Sequence, residues 1–277
     1  MVSMLINGLQ DNKVSVYDRG LLYGDGVFRT LRVHGRHVLH WHRHYQKLQQ
    51  DSAALGITCP ESTLLCDELQ RLIQQQLPQQ SDSVAKIIIT RGLQTARGYA
   101  PTSHITPTRI LSIAPAPGYP NHFFTQGIKL RVCALRLGHQ PALAGIKHLN
   151  RLENVLAAAE WSDADIAEGV LLDIAGNVIE GTRSNLFIVH AGKLLTPDLS
   201  RCGVAGVQRE RVLEWAARHG MPWRVEQITL EQLLAADEVF LVNSIIGLWP
   251  VRELQGRIWS QHPMSTQIQQ WLSDETD

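Results

Sequence analysis

Along the first part of the chain, apolar and polar residues alternate in short runs that predict paired strands. MLIN, the dipeptide Asn7-Gly8 and VSVYD read as a hairpin, because Asn-Gly accepts the left-handed backbone of a two-residue turn. VFRTLRV and RHVLH flank His34-Gly35 as a second hairpin, and the glycine-rich DRGLLYGDG between the two is expected to be a loop. A helical period then covers residues 42–55, with Gly56 placed to end it. Another helix is expected to run from Pro60, a favoured first helical residue, to Pro78, with the glutamine-rich LQRLIQQQLPQQ as its solvated end. SVAKIIITRG and TRILSIA are apolar enough to predict buried strands, and APAPGYPN, residues 114–121, predicts an extended linker.

The pattern resumes after the linker with a strand at IKLRVCAL, a polar loop, and the alanine-rich helical stretch of GIKHLNRLENVLAAAE, residues 145–160. GVLLDIAGNVIEG predicts a hairpin around Gly176-Asn177, NLFIVHAGKLLTP another around Gly192, and AGVQRERVLEWAARHG an amphipathic helix closed by Gly220. Strands and helices mix without strict alternation. The expectation is an α/β or α+β protein with largely antiparallel sheets, divided into a smaller N-terminal domain over 1–115, a linker over 116–121 and a larger domain over 122–277 that carries Lys147.

Composition narrows the chemistry. At 277 residues and 44% apolar content the chain can bury two ordinary cores. Lysine plus arginine and aspartate plus glutamate balance at 26 each, so no long-range field gathers nucleic acid or an anionic membrane surface, and a small-molecule substrate is the natural expectation. Cys59, Cys66, Cys133 and Cys202 form no C-x-x-C pair, and the first residues lack the basic and apolar segments of a secretory signal, which fits the cytoplasm. No apolar run is long enough to span a bilayer. His37, His40, His42 and His44 are dense in RHVLHWHRHYQ, but no cysteine or acidic partner shares that stretch, so no metal site is expected.

Lys147 stands two residues after Gly145 at a strand-to-helix junction, where the small glycine would let a planar cofactor approach. Most lysines are solvated surface charges; one that forms a Schiff base must be deprotonated, which calls for partial burial or a neighbouring positive charge. Glu180 ends a hairpin strand and is followed by Thr182, Ser184 and Asn185, polar groups able to fix its orientation. Such a carboxylate is either a solvated strand end or the partner of a pyridinium nitrogen, the proton that makes pyridoxal phosphate an electron sink. CGVAGVQRERVLE sets Gly203 and Gly206 ahead of a helix, either as an ordinary helix entry or as a phosphate cradle. Ser244, at the end of an apolar strand before Gly247, is a candidate to join it.

GIKHLNRLENVLAAAE, EGTRSNLF, YGDGVFRTLRV, ITRG with RGYAP, and GVAGVQRERV occur in the order found in fold-type IV pyridoxal-phosphate enzymes, which the sequence resembles over nearly its whole length. Within the family, AGIKHLNRLENVL and GYAPTSHITPTRILS are most similar to the lyases acting on 4-amino-4-deoxychorismate, rather than to D-amino-acid or branched-chain aminotransferases. The resemblance implies pyridoxal 5'-phosphate as cofactor, Lys147 as the Schiff-base lysine, Glu180 as partner of the ring nitrogen, and Gly206, Val207 and Ser244 near the phosphate. It also implies a two-domain homodimer with the cofactor in the interdomain cleft. Where the family places an arginine that reaches the phosphate, in a motif like H-x-x-R-L, this chain reads HYQKL. Lys47 therefore offers a point charge but no planar fork, and Arg43, one turn earlier, is a candidate to compensate. A dicarboxylate substrate calls for cations or hydroxyls on its side of the cofactor: Arg91, Arg97 and Thr30 are the candidates, set against solvated loop arginines and an ordinary β-branched strand residue.

Overall fold

The computed structural model describes residues 3–76 and 82–274, and the chain divides into two compact units. The first comprises Met1–Pro117 together with Ile146–Asn150, the second Gly118–Gly145 with Arg151–Thr276.

The first unit runs β1 (Ser3–Ile6), β2 (Leu9–Gln10), α1 (Arg19–Tyr23), β3 (Gly26–His34), β4 (His37–Val38), α2 (Trp41–Ala54), α3 (Ser62–Gln76), β5 (Asp82–Thr90) and β6 (Thr108–Pro115). Its six strands form one antiparallel sheet in the order β2-β1-β6-β5-β3-β4. Alternate residues of a strand point to opposite faces, and here Val27, Leu31, Ala85, Ile87, Ile89, Leu111 and Ile113 share one of them. They pack against Leu48 of α2 and Leu65, Leu69, Leu72 and Ile73 of α3, which recur at helical spacing.

Three local expectations change. The Asn7-Gly8 turn is present, both residues having positive φ, but the strand returning from it is Leu9–Gln10 and VSVYD is not a strand. The supposed loop DRGLLYGDG contains α1, because the Asp18 side chain caps it by accepting from the Gly20 N–H and Gly24 closes it in the left-handed region. The helix expected from Pro60 begins at Ser62, and Pro78, expected to end it, lies outside the described residues.

The second unit runs α4 (His122–Thr125), β7 (Ile128–Leu137), α5 (Leu152–Ala158), β8 (Ile166–Asp173), β9 (Asn177–Gly181), β10 (Asn185–His190), β11 (Lys193–Pro197), α6 (Val207–Arg218), β12 (Trp223–Glu226), β13 (Ile228–Thr229), α7 (Leu230–Leu234), β14 (Glu238–Asn243), β15 (Gly247–Leu254), β16 (Arg257–Ile258) and α8 (Pro263–Asp274). Its ten strands make a mixed sheet in which β7 pairs in parallel with both β8 and β15. The sheet closes on itself: β10-β14-β15-β7-β8-β9 return to β10 through the pairing of Asn185 with Glu180.

Closure explains why these strands are apolar at nearly every position. Leu186, Ile188, Val239, Leu241, Trp249 and Val251 face one core, while Phe187, Val189, Phe240, Val242 and Leu248 face a second core shared with α6 and α8. A strand buried on both faces has no polar alternate. Cys133 and Cys202 belong to a third cluster, where burial pushes their thiols up to about 11 and about 12 respectively. Neither is a thiolate at neutral pH. Iodoacetamide at pH 8 is therefore expected to leave both unmodified in the native protein and to label them once it is denatured, as peptide mass mapping would show.

Candidate active site

The expected site residues fall into two sets. Lys147 belongs to the first unit, which corrects the expectation that the larger domain carries it. The reason is backbone pairing. Ile146–Asn150 lies along the edge of β3, with Val27 bridged to His148, Phe28 N–H donating to Lys147 O at 3.0 Å and Leu149 N–H to Gly26 O at 2.9 Å. A five-residue segment with no core of its own is placed by the sheet edge it pairs with.

Asp51 of α2 completes the anchor. Its Oδ2 accepts from Lys147 N–H at 2.9 Å and from the buried Arg29 guanidinium, and its Oδ1 lies 3.9 Å from Lys47 Nζ. Lys47 and Asp51 are one helical turn apart and so share a face of α2. The Lys147 amine lies 4.6 Å from the centroid of the Phe28 ring. An aromatic face stabilises an ammonium while shielding it from water on one side.

Arg91 is committed elsewhere. Its Nε donates to Asp25 at 2.7 Å, and its two Nη atoms to the carbonyls of Gly56 and Leu55 at 2.7 and 2.6 Å. That geometry closes the end of α2, and the Arg91 fork is occupied by the protein's own acceptors. The same Asp25 oxygen accepts from Arg19 Nε at 2.8 Å, and Arg19 also donates to Gln94, Gly98 and Tyr99, so it holds the loop on which Arg97 stands exposed. Thr30 is half-buried and pairs with Lys86 across β3 and β5. Of the histidines, His40 and His44 are buried and His37 and His42 exposed. Among the described residues no group of three histidine, cysteine, aspartate or glutamate side chains gathers to hold a metal ion.

In the second unit Glu180 is buried at the end of β9, and its Oε2 accepts from Val204 N–H at 2.8 Å. Asn185, its strand partner, donates to Val204 O at 2.7 Å and accepts from Gly206 N–H at 3.1 Å. Glu180 and Gly206 thus meet through Asn185, and Val207 follows Gly206 as the first residue of α6. Gly206 is the N-cap of α6 and supplies no side-chain cap to its first turn; a methyl group there would overlap Asn185 Oδ1. Ser244 lies in the turn between β14 and β15, two residues beyond Val242, the register partner of Asn185. Asn243 shapes that turn by accepting from the N–H groups of Ile245 and Ile246 at 2.8 and 2.9 Å.

Behind the EGTRSN segment stands Glu168 of β8. Its Oε1 accepts from Arg183 N–H and Ser184 Oγ, both at 2.8 Å, and burial holds its carboxyl above the usual range. Sequence reasoning did not find Glu168, Asp51, Arg29 or Asp25, since nothing in their neighbourhoods separates them from surface charges. Spacing offers one signal, the Lys47-Asp51 pair on one helix face, but not its burial.

A model of the family described as amino-transferase class IV matches residues 26–254, which include every residue of both sets. The chain belongs to that family. Among class IV relatives it is 38% identical over 246 residues to an aminodeoxychorismate lyase of Vibrio harveyi, covering 89% of each chain. It is 33% identical over 252 residues to a putative branched-chain-amino-acid aminotransferase of Methanocaldococcus jannaschii, covering 90% of this chain and 85% of the other. The crystal structure of 4-amino-4-deoxychorismate lyase from Pseudomonas aeruginosa superposes with a TM-score of 0.92 at 44% identity, covering 98% of both chains.

Proposed function

We propose that this class IV chain is a carbon–oxygen lyase that uses pyridoxal 5'-phosphate to convert 4-amino-4-deoxychorismate into 4-aminobenzoate and pyruvate, a step of folate biosynthesis. The observation that carries the reading is the 44% identity to the Pseudomonas aeruginosa lyase over 98% of both chains.

The residues fit the cofactor by the chemistry of their donors. Lys147 supplies the amine for its aldehyde, and Glu180, buried with one oxygen fixed by Val204 N–H, supplies a carboxylate for its ring nitrogen. The first turn of α6, entered at a glycine with no side-chain cap, supplies N–H groups for its phosphate through Val207 and its neighbours. Ser244 adds a hydroxyl and Lys47 a point charge to the same phosphate. When bound, pyridoxal phosphate supplies an electron sink for the pair left behind as a proton leaves the amine-bearing carbon.

The chain's own groups do the rest. Glu180 keeps a proton on the ring nitrogen, and the Lys147 amine takes the proton from the amine-bearing carbon of the substrate. Cleavage of the bond between the ring and the enolpyruvyl oxygen then releases enolpyruvate, whose methylene carbon takes up a proton to give pyruvate, and leaves an aromatic ring, which drives the step. Arg97 and Thr30 are assigned to the substrate side, and Arg91 acts by holding Asp25 and the end of α2.

The test is turnover of 4-amino-4-deoxychorismate by the purified holoenzyme, with pyruvate and 4-aminobenzoate expected in equal amounts. Keto-acid formation from D-alanine or leucine, without those products, would instead assign an aminotransferase. Gly206→Ala is expected to weaken pyridoxal phosphate binding by about tenfold or more in an absorbance titration, because the added carbon displaces Asn185 from the entry to α6.

The same reading includes a cytoplasmic homodimer. Among the described residues no helix is long and apolar enough to cross a membrane. Leu152, Val155 and Leu156 of α5 are exposed at the spacing of one helix face, an apolar stripe that a second copy would cover. Sedimentation equilibrium is expected to give twice the chain mass of 31.0 kDa.

A further inference from the structure

Lys86 lies in β5 directly opposite Thr30 of β3, and Ile88 lies opposite Phe28. Opposed residues of an antiparallel pair share a face, as do alternate residues along a strand, so Phe28, Thr30, Lys86 and Ile88 occupy one face of the first unit's sheet. It is the face turned away from the core formed by Val27, Leu31, Ala85, Ile87 and Ile89.

Two amines converge there on one ring. Lys147 Nζ lies 4.6 Å and Lys86 Nζ 5.2 Å from the Phe28 centroid, so they are separated by no more than the sum of those distances. Arginines on this sheet and at its strand ends are matched by carboxylates: Arg29 and Arg32 of β3 by Asp51 and Asp82, Arg91 just beyond β5 by Asp25, and Arg109 of β6 by Glu68. Among the described residues no carboxylate pairs with Lys86, which stands exposed. A lone cation beside a reactive amine raises the local concentration of anions, and a mobile ammonium accepts a carboxylate without needing the two-pronged alignment of arginine.

We propose that Lys86 is a substrate-binding residue that holds one of the two carboxylates of the substrate, beside the Thr30 hydroxyl. This rests on the lyase reading above and deepens it: the cation needed for a dianion comes from the middle of β5, not from Arg91 at its end. A lysine serving only solubility would leave no trace in substrate affinity.

The experiment is steady-state kinetics with 4-amino-4-deoxychorismate on the holoenzyme and its Lys86→Gln, Lys86→Arg and Lys86→Glu variants, each checked for native cofactor absorbance. Loss of a charge-assisted contact is expected to raise KM by about 10- to 100-fold in Lys86→Gln, with kcat within about threefold of native. Lys86→Glu is expected to be worse, Lys86→Arg to recover most of the affinity, and added salt to raise KM in the native enzyme more than in Lys86→Gln. An unchanged KM in Lys86→Gln, or a loss confined to kcat, overturns the proposal while the lyase reading stands. A native enzyme that releases no pyruvate overturns that reading and this inference with it.

Discussion

Lys147→Ala is expected to cost at least about 10³-fold in kcat, the upper range for removal of a positioned proton-transfer group, and to leave purified protein without the visible band of a bound aldehyde cofactor. This loss is chemical rather than structural. Two anchors of residue 147 are main-chain: its N–H donates to Asp51 and its carbonyl accepts from Phe28. Alanine keeps both. Circular dichroism and the denaturation midpoint should therefore stay close to native while activity disappears. Borohydride treatment of the native holoenzyme, followed by peptide mapping, should find the cofactor's mass on the peptide containing Lys147. If the label sits on another residue, or the alanine variant turns over at the native rate, the assignment of Lys147 is wrong.

Asp51→Ala is expected to lower stability by about 3–5 kcal/mol, the usual cost of removing one member of a buried ion pair. Asp51 and Arg29 are 3% and 2% exposed, so water cannot replace the lost carboxylate around the guanidinium. The same substitution removes the acceptor of the Lys147 amide, so kcat should fall even where the protein remains folded. Asp51→Asn keeps an acceptor and nearly the same volume, and should lose less than half as much stability. Urea unfolding followed by tryptophan fluorescence separates the cases: an alanine variant within about 1 kcal/mol of native would show that α2 carries no such anchor.

The residues that sequence reasoning located and those it missed differ in how far apart their partners lie. Gly206 before α6 and Glu180 at the end of β9 belong to local patterns, a glycine at a helix entry and a carboxylate after a hairpin, and both occupy those places. Asp51 is 96 residues from the amide it accepts, and Arg91 is 66 residues from Asp25 and 36 from Leu55. Nothing within a helical turn of either residue announces such partners. Arg91 shows the consequence: its place at the end of a buried strand predicted a ligand-binding arginine, whereas the chain itself fills its donor fork.

Period and punctuation by themselves determined most of the elements. Alternation, the Asn7-Gly8, His34-Gly35, Gly176 and Gly192 turns, and the apolar double-faced strands follow from backbone preferences acting over a few residues. Only the tertiary structure decided which unit holds Lys147, because that depends on the open edge of β3 and on an aspartate of α2. Only it closed β9 onto β10 and set two lysines against one phenylalanine ring, since strand order and register are fixed by contacts between segments remote in the chain.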